Sequence, residues 1–452
     1  MLHERWTKIV EERRDQVALI SVSGDEVWAF GDLDEIAAEI DGRKLVVAPF
    51  DNRPEIFFAR IIATWRDGGW VLPLEPGFDL ERLRPPETGL PEGLGVIKHT
   101  AIGDGTEAMV ALDAASQMAE ADALMAATGI GPDYVGIAAV SPSHSYGFGV
   151  LALPMLLGGM PVVVPESPLQ PCVSEAVRRA SKLVKATGRD GCFLPGVPAT
   201  WRAWAASGIL APEVGGSKVL GISAGSPLTL ELADRVFSQT GIRIGNLYGT
   251  SETGAISWDS DPLANLVGQP GGVGKLLPSV SADVEAGRLN VRSSSWAGLG
   301  YIRPGSVGID DFGGSGFSTY DQAERCSDGT IVLGEFVGDT INVAGRKLSP
   351  RRIEKAVQQA NPEISRAKVV GIPSRDRERN SEVGLAVSFR AGDPVATARE
   401  IRSRVGAVLD SWEVPRKVWT LEPEDELWDA QLAPFAWRQT LLDKVLPAPI
   451  RK

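Results

Sequence analysis

The residues from Tyr248 to Glu252 hold the most concentrated chemistry in this chain. They read Tyr-Gly-Thr-Ser-Glu, follow an apolar approach of β type and precede a turn of small residues. The Tyr248 ring can stack on a base, and Gly249 lets the backbone come close to a ligand. Thr250 and Ser251 supply hydroxyls, and Glu252 supplies the hard oxygen that Mg²⁺ prefers. A loop that binds a base and a metal and an ordinary strand-to-loop turn are both consistent with this segment.

A second candidate is the loop that contains His144, where Ser-Pro-Ser-His-Ser-Tyr-Gly follows a predicted strand over Tyr134–Val140. The same residues open a helix that is expected to continue to Leu157. A histidine among small residues and aromatics at the end of a strand suits a pocket wall. His144 is therefore a candidate general base, and a purely structural histidine is the alternative.

A third candidate lies between residues 95 and 110, where a predicted strand leads into a loop that contains Gly103 and Gly105. A long helical pattern follows over Ala114–Ala126, and strand, glycine loop and helix together are the layout of a phosphate-binding turn. However, the loop carries Asp104 and Glu107, and no lysine or arginine follows the turn. Two carboxylates would repel a triphosphate, so the composition favours a plain surface loop.

The elements that position these loops alternate between strand and helix through the first 270 residues. Open parallel sheets bind ligands at the carboxyl ends of their strands, where the glycine- and serine-rich loops of this chain are expected. After Gly271 the pattern changes to short strands of period two, which predict a small antiparallel unit. Near the C-terminus, Ser349 and Pro350 are the expected N-cap and first residue of a helix. The prediction is an α/β fold with more than one domain.

Bulk composition excludes several classes of function. The chain has 452 residues, 43% apolar and 23% charged, and a net charge of -12. This balance argues against a nucleic-acid partner, and no run of about 20 apolar residues predicts a membrane span. Three cysteines and three histidines are too few and too scattered for a disulfide framework or a histidine-rich metal site. The charged N-terminus without an apolar segment does not resemble a secretory signal. Together with the scattered cysteines, this predicts a cytoplasmic protein.

The order of the motifs resembles the adenylate-forming superfamily of acyl- and aryl-CoA synthetases, peptide-synthetase adenylation domains and luciferase. The resemblance rests on Tyr-Gly-Thr-Ser-Glu, on Ser-Thr-Tyr-Asp ending at Asp321, and on Gly-Arg-Lys-Leu-Ser-Pro-Arg-Arg-Ile-Glu from Gly345. It implies a large N-terminal multi-layer α/β domain with a small β unit over residues 1–335. A hinge would join it to a small, mobile C-terminal α+β domain over residues 336–452. The implied reaction joins a small carboxylic acid to AMP from ATP and then passes the acyl group to the thiol of CoA or of a carrier protein.

The resemblance also implies a role for each matching residue. Tyr248 would stack on adenine, Thr250 or Ser251 would bind the α-phosphate, Glu252 would hold Mg²⁺, and Asp321 would bind the ribose hydroxyls. The residues expected to bind the nucleotide also include Gly225, Ser226, Pro227 and Gly249. The residues expected to line the acyl pocket are His144, Tyr146, Gly147 and Pro198. The segment around His144 is similar to ligases that load aromatic acids onto carrier proteins in secondary metabolism.

Several cations of the family pattern are replaced in this chain. Ala108 stands where the phosphate loop of the family ends in lysine, and Phe336 stands where the family has a ribose-binding arginine. Gly338 takes the place of the hinge aspartate, and Phe435 takes the place of the C-terminal catalytic lysine. Nucleotidyl transfer depends on cations placed around developing negative charge. Adenylation is therefore expected to be slow or lost.

Three hypotheses follow from this mixture of retained and replaced motifs. The first is an AMP-forming acyl- or aryl-acid ligase that uses Mg-ATP with impaired adenylation. The second is a divergent homologue that transfers a preactivated acyl group to a thiol or an amine, with His144 as the candidate base. The third is a binding protein for an acyl ligand or a carrier protein. The sequence leaves the acid and the choice between CoA and a carrier protein open.

Overall fold

The computed structural model describes most of the chain in two compact units. The described residues are 1–41, 45–50, 53–75, 85–86, 89–102, 107–167, 171–208, 210, 217–265, 271–285, 287–292, 298–303, 308–313, 316–336, 341–343, 346–374, 381–390, 395–428, 440–441 and 444. One unit comprises Met1–Thr100 and Ala108–Gly334, and the other comprises Ala101–Glu107 and Glu335–Lys452. Both contain helices and strands, so the predicted α/β class is confirmed.

The helices of the described residues are numbered in chain order. They are α1 (Leu2–Arg13), α2 (Phe30–Ala38), α3 (Pro54–Arg66), α4 (Ala114–Thr128), α5 (Ser145–Gly147), α6 (Leu153–Gly158), α7 (Cys172–Thr187), α8 (Pro198–Ser207), α9 (Leu230–Thr240), α10 (Pro262–Asn265), α11 (Pro350–Ala360) and α12 (Ala398–Val405). A π-helix, Phe148–Ala152, joins α5 to α6, and a 3₁₀ turn covers Glu426–Trp428.

The strands are numbered in the same way. They are β1 (Val17–Ser21), β2 (Glu26–Ala29), β3 (Leu45–Pro49), β4 (Trp70–Leu74), β5 (Leu94–Ala101), β6 (Glu107–Asp113), β7 (Tyr134–Ile137), β8 (Val162–Val164), β9 (Gly191–Gly196), β10 (Val219–Ser223), β11 (Ile244–Thr250), β12 (Gly254–Asp259), β13 (Lys275–Leu276), β14 (Ala282–Glu285), β15 (Arg288–Val291), β16 (Gly300–Ile302), β17 (Asp310–Asp311), β18 (Phe317–Arg325), β19 (Ile331–Phe336), β20 (Ile341–Val343), β21 (Arg346–Leu348), β22 (Ile364–Pro373), β23 (Ser381–Phe389) and β24 (Lys417–Thr420).

A nine-stranded sheet carries the candidate loops at one edge. Its order is β13-β12-β11-β10-β9-β7-β8-β1-β2, and the pairs from β8 through β7, β9 and β10 to β11 are parallel. The carboxyl ends of β7, β9, β10 and β11 therefore lie side by side. The loops that follow these four strands contain His144, Pro198, Gly225 and Glu252. Ligands of open parallel sheets bind at such an edge.

Local sequence signals set the ends of the helices that cover this sheet. The Asp113 carboxylate accepts a hydrogen bond from the backbone of Ser116 at the start of α4, at 2.7 Å. Thr229 caps α9 in the same way, with its hydroxyl 3.2 Å from the Leu232 nitrogen. These side chains satisfy backbone N–H groups that have no partner within the helix. Glycine follows the last residue of α4, α7, α8 and α9 with φ near +70°, a conformation that disfavours other residues.

Two further sheets complete the first unit. One has six strands in the order β17-β16-β6-β5-β4-β3, and the other has four in the order β14-β15-β18-β19. Strand β6 is a difference from the expected strand, glycine loop and helix, because it lies between the loop at residues 103–106 and α4. That loop falls outside the described residues. Strand β18 continues to Arg325, so Asp321 lies inside a strand and not at its end.

The expected helix from the His144 loop to Leu157 is confirmed, with one irregularity. Its middle turn, Phe148–Ala152, is a π-helix, a form that is often found at functional sites. The predicted strand over Tyr134–Val140 ends earlier, at Ile137.

The second unit has its own apolar core. Strands β22, β23 and β24 form a sheet, and β20 and β21 form an antiparallel pair. Ser349 caps α11 with Pro350 as its first residue, as predicted, and Ile353 and Val357 are fully buried on its inner face. The sequence pattern also predicts a C-terminal helix from Trp437, and this segment lies mostly outside the described residues. Across the part of the chain that the structure describes, no helix has the length and apolar character of a membrane span.

Candidate functional site

The Tyr-Gly-Thr-Ser-Glu segment forms the end of β11 and the turn to the antiparallel strand β12. The pairing shifts between Tyr248 and Gly249, which marks an irregularity where the backbone changes direction. A side chain on Gly249 would collide with the carbonyl of Gly254 in the facing strand, so this position requires glycine. The hydroxyls of Thr250 and Thr253 lie 3.1 Å apart across the turn. The chain is thus held in a tight loop with its polar groups at the sheet edge.

Tyr248 and Asp321, which come from two separate motifs, meet in the structure. The Tyr248 hydroxyl donates a hydrogen bond to Asp321 Oδ2 at 2.8 Å. Burial first, and then the Asp321 charge, raise the pKa of Tyr248 well above its usual value, so the phenol stays protonated. The predicted adenine-stacking ring and the predicted ribose-binding carboxylate therefore lie in one place.

Glu252 is almost fully buried at 2% exposure and is held at two points. Its carbonyl accepts a hydrogen bond from the Gly298 nitrogen at 2.6 Å. Its Oε1 accepts a hydrogen bond from the Tyr301 hydroxyl at 2.9 Å. Burial, followed by the Glu252 charge, raises the pKa of Tyr301 far above its usual value, so Tyr301 remains a donor. The carboxylate therefore has a fixed orientation.

The surroundings of the Glu252 carboxylate suit a role as the single protein ligand of a magnesium ion. Among the described residues, Oε1 is bonded to Tyr301, and Oε2 accepts no hydrogen bond. No cluster of three or more potential metal ligands occurs within the described ranges. Mg²⁺ is commonly held by one or two carboxylates together with substrate phosphates. An oriented carboxylate with one oxygen available suits this arrangement, in which the ion would neutralise phosphate charge.

Ser251 links the turn after β11 to the helix that follows His144. Its hydroxyl donates a hydrogen bond to the Ser145 hydroxyl at 3.1 Å. His144 is the N-cap of that helix, and its Nδ1 accepts a long hydrogen bond from the Tyr146 nitrogen at 3.4 Å. This contact gives His144 a structural role as the N-cap of α5. The general-base role stays a prediction.

Tyr146 and Gly147, two residues expected in the acyl pocket, are tightly placed. The Tyr146 hydroxyl donates to the carbonyls of Gly196 and Ile222, at 3.3 and 3.2 Å, at the ends of β9 and β10. Burial raises the pKa of Tyr146 above its usual range, so its hydroxyl remains a donor. A side chain on Gly147 would collide with the Ser141 carbonyl. The polar end of Tyr146 is thus engaged by the backbone of the sheet.

The segment from Ser223 to Pro227 follows β10 at the same sheet edge. Gly225 adopts a φ of 78°, a conformation that glycine tolerates best. The hydroxyls of the fully buried Ser223 and of Ser226 have no hydrogen-bond partner among the described residues. Pro198, after β9, is the first residue of α8. Orphaned hydroxyls at this edge leave hydrogen-bonding capacity for a ligand.

One of the positions where a family cation was expected can be located. Ala108, at the expected position of the phosphate-loop lysine, is fully buried in β6. Phe336 ends β19, and nothing is described of its side chain. Gly338 and Phe435 lie outside the described residues. Position 108 therefore holds a buried apolar side chain and offers no positive charge to a phosphate.

Sequence reasoning missed two features of this region. The first is Tyr301, which orients Glu252 from a strand 49 residues later in the chain. The second is a buried cluster of Lys98, Gln117 and Glu120 beside the sheet edge, with the Lys98 ammonium 3.4 Å from Glu120 Oε2. No motif marks either feature. Only the polar residues in otherwise apolar elements, such as Lys98 in β5, could have drawn attention to the cluster.

Comparisons with known proteins agree with this geometry. The family of AMP-binding enzymes matches residues 103–293. The mitochondrial medium-chain acyl-CoA ligase ACSF2 of Mus musculus is 25% identical over 218 residues, 45% of this chain and 34% of that protein. Acyl-CoA ligase SID4 of Ajellomyces capsulatus is 26% identical over 296 residues, 61% of this chain and 48% of that protein. The chain thus spans about a third to a half of the length of these curated relatives.

A solved structure extends the likeness to nearly the whole chain. The amide bond synthetase McbA from Marinactinospora thermotolerans superposes with a TM-score of 0.73 at 20% identity, over 93% of this chain and 95% of that chain. At this identity the likeness shows the fold. Residues 103–293 therefore resemble an AMP-binding enzyme domain, within a chain that has the fold of this amide bond synthetase.

Proposed function

We propose that this chain is an AMP-forming acid ligase that activates a small carboxylic acid with ATP and passes the acyl group to a thiol. The observation that carries the proposal is that Asp321 contacts Tyr248 in the same loop region as the oriented Glu252. Tyr248 and Glu252 both lie within the segment that matches the AMP-binding enzyme family. The thiol would belong to CoA or to a carrier protein. The known relatives with acyl-CoA ligase names support this class of reaction.

The geometry suggests how the chain's own residues would act. The Tyr248 ring would lie against adenine while Asp321, already bonded to Tyr248, accepts hydrogen bonds from the ribose. Hydroxyls of Thr250 and Ser251 would donate to the α-phosphate. Glu252 would hold Mg²⁺, which would supply positive charge at the phosphates. The carboxylate of the acid would attack the α-phosphorus, and pyrophosphate would leave with the electron pair of the broken bond. The thiol would then lose its proton to solvent and attack the acyl carbon, and AMP would leave with the electron pair of the acyl C–O bond.

Adenylation is proposed to be slow because positive charge is missing. The family pattern has lysine at position 108, and this chain has a buried alanine. Removing one positioned donor to a developing charge costs on the order of 10²–10³ in rate. The same reasoning applies to Phe435 in place of the second lysine. Amide bond synthetase is the name of one structural neighbour, so an amine is the second acceptor class to test.

A second candidate function is transfer of a preactivated acyl group without adenylation. The buried Ala108 favours it, because a site that never contacts a triphosphate needs no cation there. Such a protein would bind AMP or an acyl-adenylate and would not turn over ATP. The two functions differ in whether pyrophosphate is released.

The first experiment is calorimetric titration of the full chain with AMP and, separately, with Mg-ATP, followed by a pyrophosphate-release screen over aryl and alkyl acids. An acid ligase binds both nucleotides and releases pyrophosphate with some acids. Binding of AMP, turnover of supplied acyl-adenylates and no pyrophosphate release would favour the second candidate. A folded protein that binds neither nucleotide would refute both.

Matched variants make the result specific. Glu252→Gln keeps the size of the side chain and removes its charge, so Mg-ATP binding should weaken while AMP binding persists. Glu231→Gln is the control, because Glu231 pairs with Arg235 on the exposed face of α9. Phe435→Lys should raise pyrophosphate release if the missing lysine limits the rate. Ala108→Lys is less suitable, since it would place an ammonium at a fully buried position.

A further inference from the structure

A buried ion pair lies between two of the loops at the functional edge. Lys98 in β5 and Glu120 in α4 are 3% and 4% exposed, and Gln117 is fully buried one turn before Glu120. Lys98 Nζ and Gln117 Nε2 both point at Glu120 Oε2, at 3.4 and 3.3 Å. Buried lysine and glutamate are uncommon and need compensation from partners.

This cluster has hydrogen-bonding capacity that the described residues do not use. The ammonium of Lys98 has three N–H donors, and one long bond to Glu120 is its single hydrogen bond in the described part of the chain. Glu120 Oε1 accepts no hydrogen bond there, and Gln117 Oε1 is buried without a partner. A buried polar group without a partner costs free energy. The unused donors of Lys98 and the unused acceptors of Glu120 and Gln117 therefore favour binding of a polar group of a ligand.

The position of the cluster connects it to Tyr146 and Gly147, which the resemblance places in the acyl pocket. A side chain added at Gly149, in the π-helix after Tyr146 and Gly147, would meet Glu120 Oε1 at 2.9 Å. A side chain at Gly254, just after the Glu252 turn, would overlap the same carboxylate. Gly149 and Gly254 therefore leave space for the Glu120 carboxylate between the helix that follows His144 and the turn that contains Glu252. Lys98 Nζ also lies 5.8 Å from the centre of the Phe148 ring on that helix.

We propose that Lys98, Glu120 and Gln117 form the polar end of the acyl pocket and select an acid with a hydroxyl group remote from its carboxylate. The hydroxyl oxygen would accept from Lys98, and its hydrogen would be donated to Glu120 Oε1 or Gln117 Oε1. The proposal rests on the proposed function, since it specifies the substrate of the same site.

Charge decides in favour of a neutral hydroxyl. Lys98 and Glu120 sum to zero, so a second carboxylate would be repelled by Glu120 and an ammonium by Lys98. An alkyl or unsubstituted aryl end would leave the three polar groups unpaired. A hydroxyl is both donor and acceptor and adds no net charge. Sites built to bond a substrate hydroxyl reject the analogue that lacks it far more strongly than apolar pockets discriminate size.

The test compares acids in matched pairs, with and without the hydroxyl: 4-hydroxybenzoate against benzoate, and 6-hydroxyhexanoate against hexanoate. Pyrophosphate release gives kcat/KM, and calorimetry in the presence of AMP gives binding of the acid without turnover. The hydroxy acid of at least one pair should be favoured by about 100-fold or more. In Lys98→Met the preference for the hydroxy acid should fall below about tenfold, chiefly because kcat/KM for the hydroxy acid decreases. The control Glu231→Gln should retain the preference of the parent chain.

Folding is controlled by a double variant, Lys98→Met with Glu120→Gln, which leaves no unpaired buried charge. It too should lose the preference. Equal or better use of the unsubstituted acids, or a preference that survives in the double variant, would overturn the inference and leave the ligase proposal standing. Hydroxy-acid binding that depends on Lys98 without pyrophosphate release would support the inference and refute ligation. Neither turnover nor binding by a folded protein would overturn both.

Discussion

Tyr301→Phe is the most informative single substitution at the candidate site. It removes one hydroxyl and keeps the ring, which packs edge-on against Phe312 with ring centres 4.8 Å apart. Glu252, at 2% exposure, then loses the donor to its Oε1. A hydrogen bond to a buried charged group contributes about 1.5–3 kcal/mol, so the free energy of unfolding should fall by about that amount.

The same substitution should weaken metal-dependent binding more than nucleotide binding. Groups that orient a metal ligand typically contribute 10–100-fold to affinity, so Mg-ATP should bind about 10–100-fold more weakly. AMP without metal does not need Glu252 and should bind as in the parent chain. Calorimetry with both nucleotides and urea unfolding followed by tryptophan fluorescence measure the two effects. The unfolding transition must be assigned to the larger unit, because two units need not unfold together.

Tyr134→Phe is the matched control. Tyr134 is 7% exposed in the core of the same unit, and its hydroxyl has no hydrogen-bond partner among the described residues. This control should leave stability and both affinities nearly unchanged. If Tyr301→Phe weakened AMP and Mg-ATP equally, or altered neither stability nor Mg-ATP binding, the assignment of Tyr301 as the residue that orients Glu252 would be refuted.

Three further substitutions test other parts of the structure. Gly147→Ala should destabilise the larger unit by about 1–3 kcal/mol, because its new methyl group collides with a backbone carbonyl; urea unfolding that matches the parent chain would contradict this geometry. Lys98→Met should cost about 3–5 kcal/mol by leaving Glu120 charged and unpaired, and adding Glu120→Gln should recover most of that loss. A double variant as unstable as the single one would argue against a buried ion pair. Burial raises the pKa of Glu354, so ionisation costs stability as pH rises through its folded pKa. Glu354→Gln should therefore be more stable than the parent at pH 7, with a gain that disappears below about pH 4.5 in thermal unfolding at a series of pH values.

Local sequence signals were sufficient for most of the secondary structure. Ser349 and Pro350 predicted the start of α11, and the helical pattern over Ala114–Ala126 predicted α4, because capping and helical periodicity act over a few residues. They failed at β6, where short apolar residues next to a glycine-rich loop gave no strand signal of their own. Strand β6 lies between β5 and β16 in its sheet, and β16 lies about 190 residues later in the chain. Long-range pairing of this kind cannot be read from local pattern.

The sequence by itself determined the class of fold, the Tyr248–Glu252 loop and the residue types at positions 108, 336 and 435. These are properties of order and local chemistry, which the chain carries without folding. Only the tertiary structure decided that Tyr248 donates to Asp321, that Tyr301 holds Glu252, and that Ala108 is buried. It also decided that Lys98 and Glu120 pair beside the helix that follows His144. Such contacts join residues far apart in the chain, and the energy of a buried polar group depends on its partners and not on its own identity.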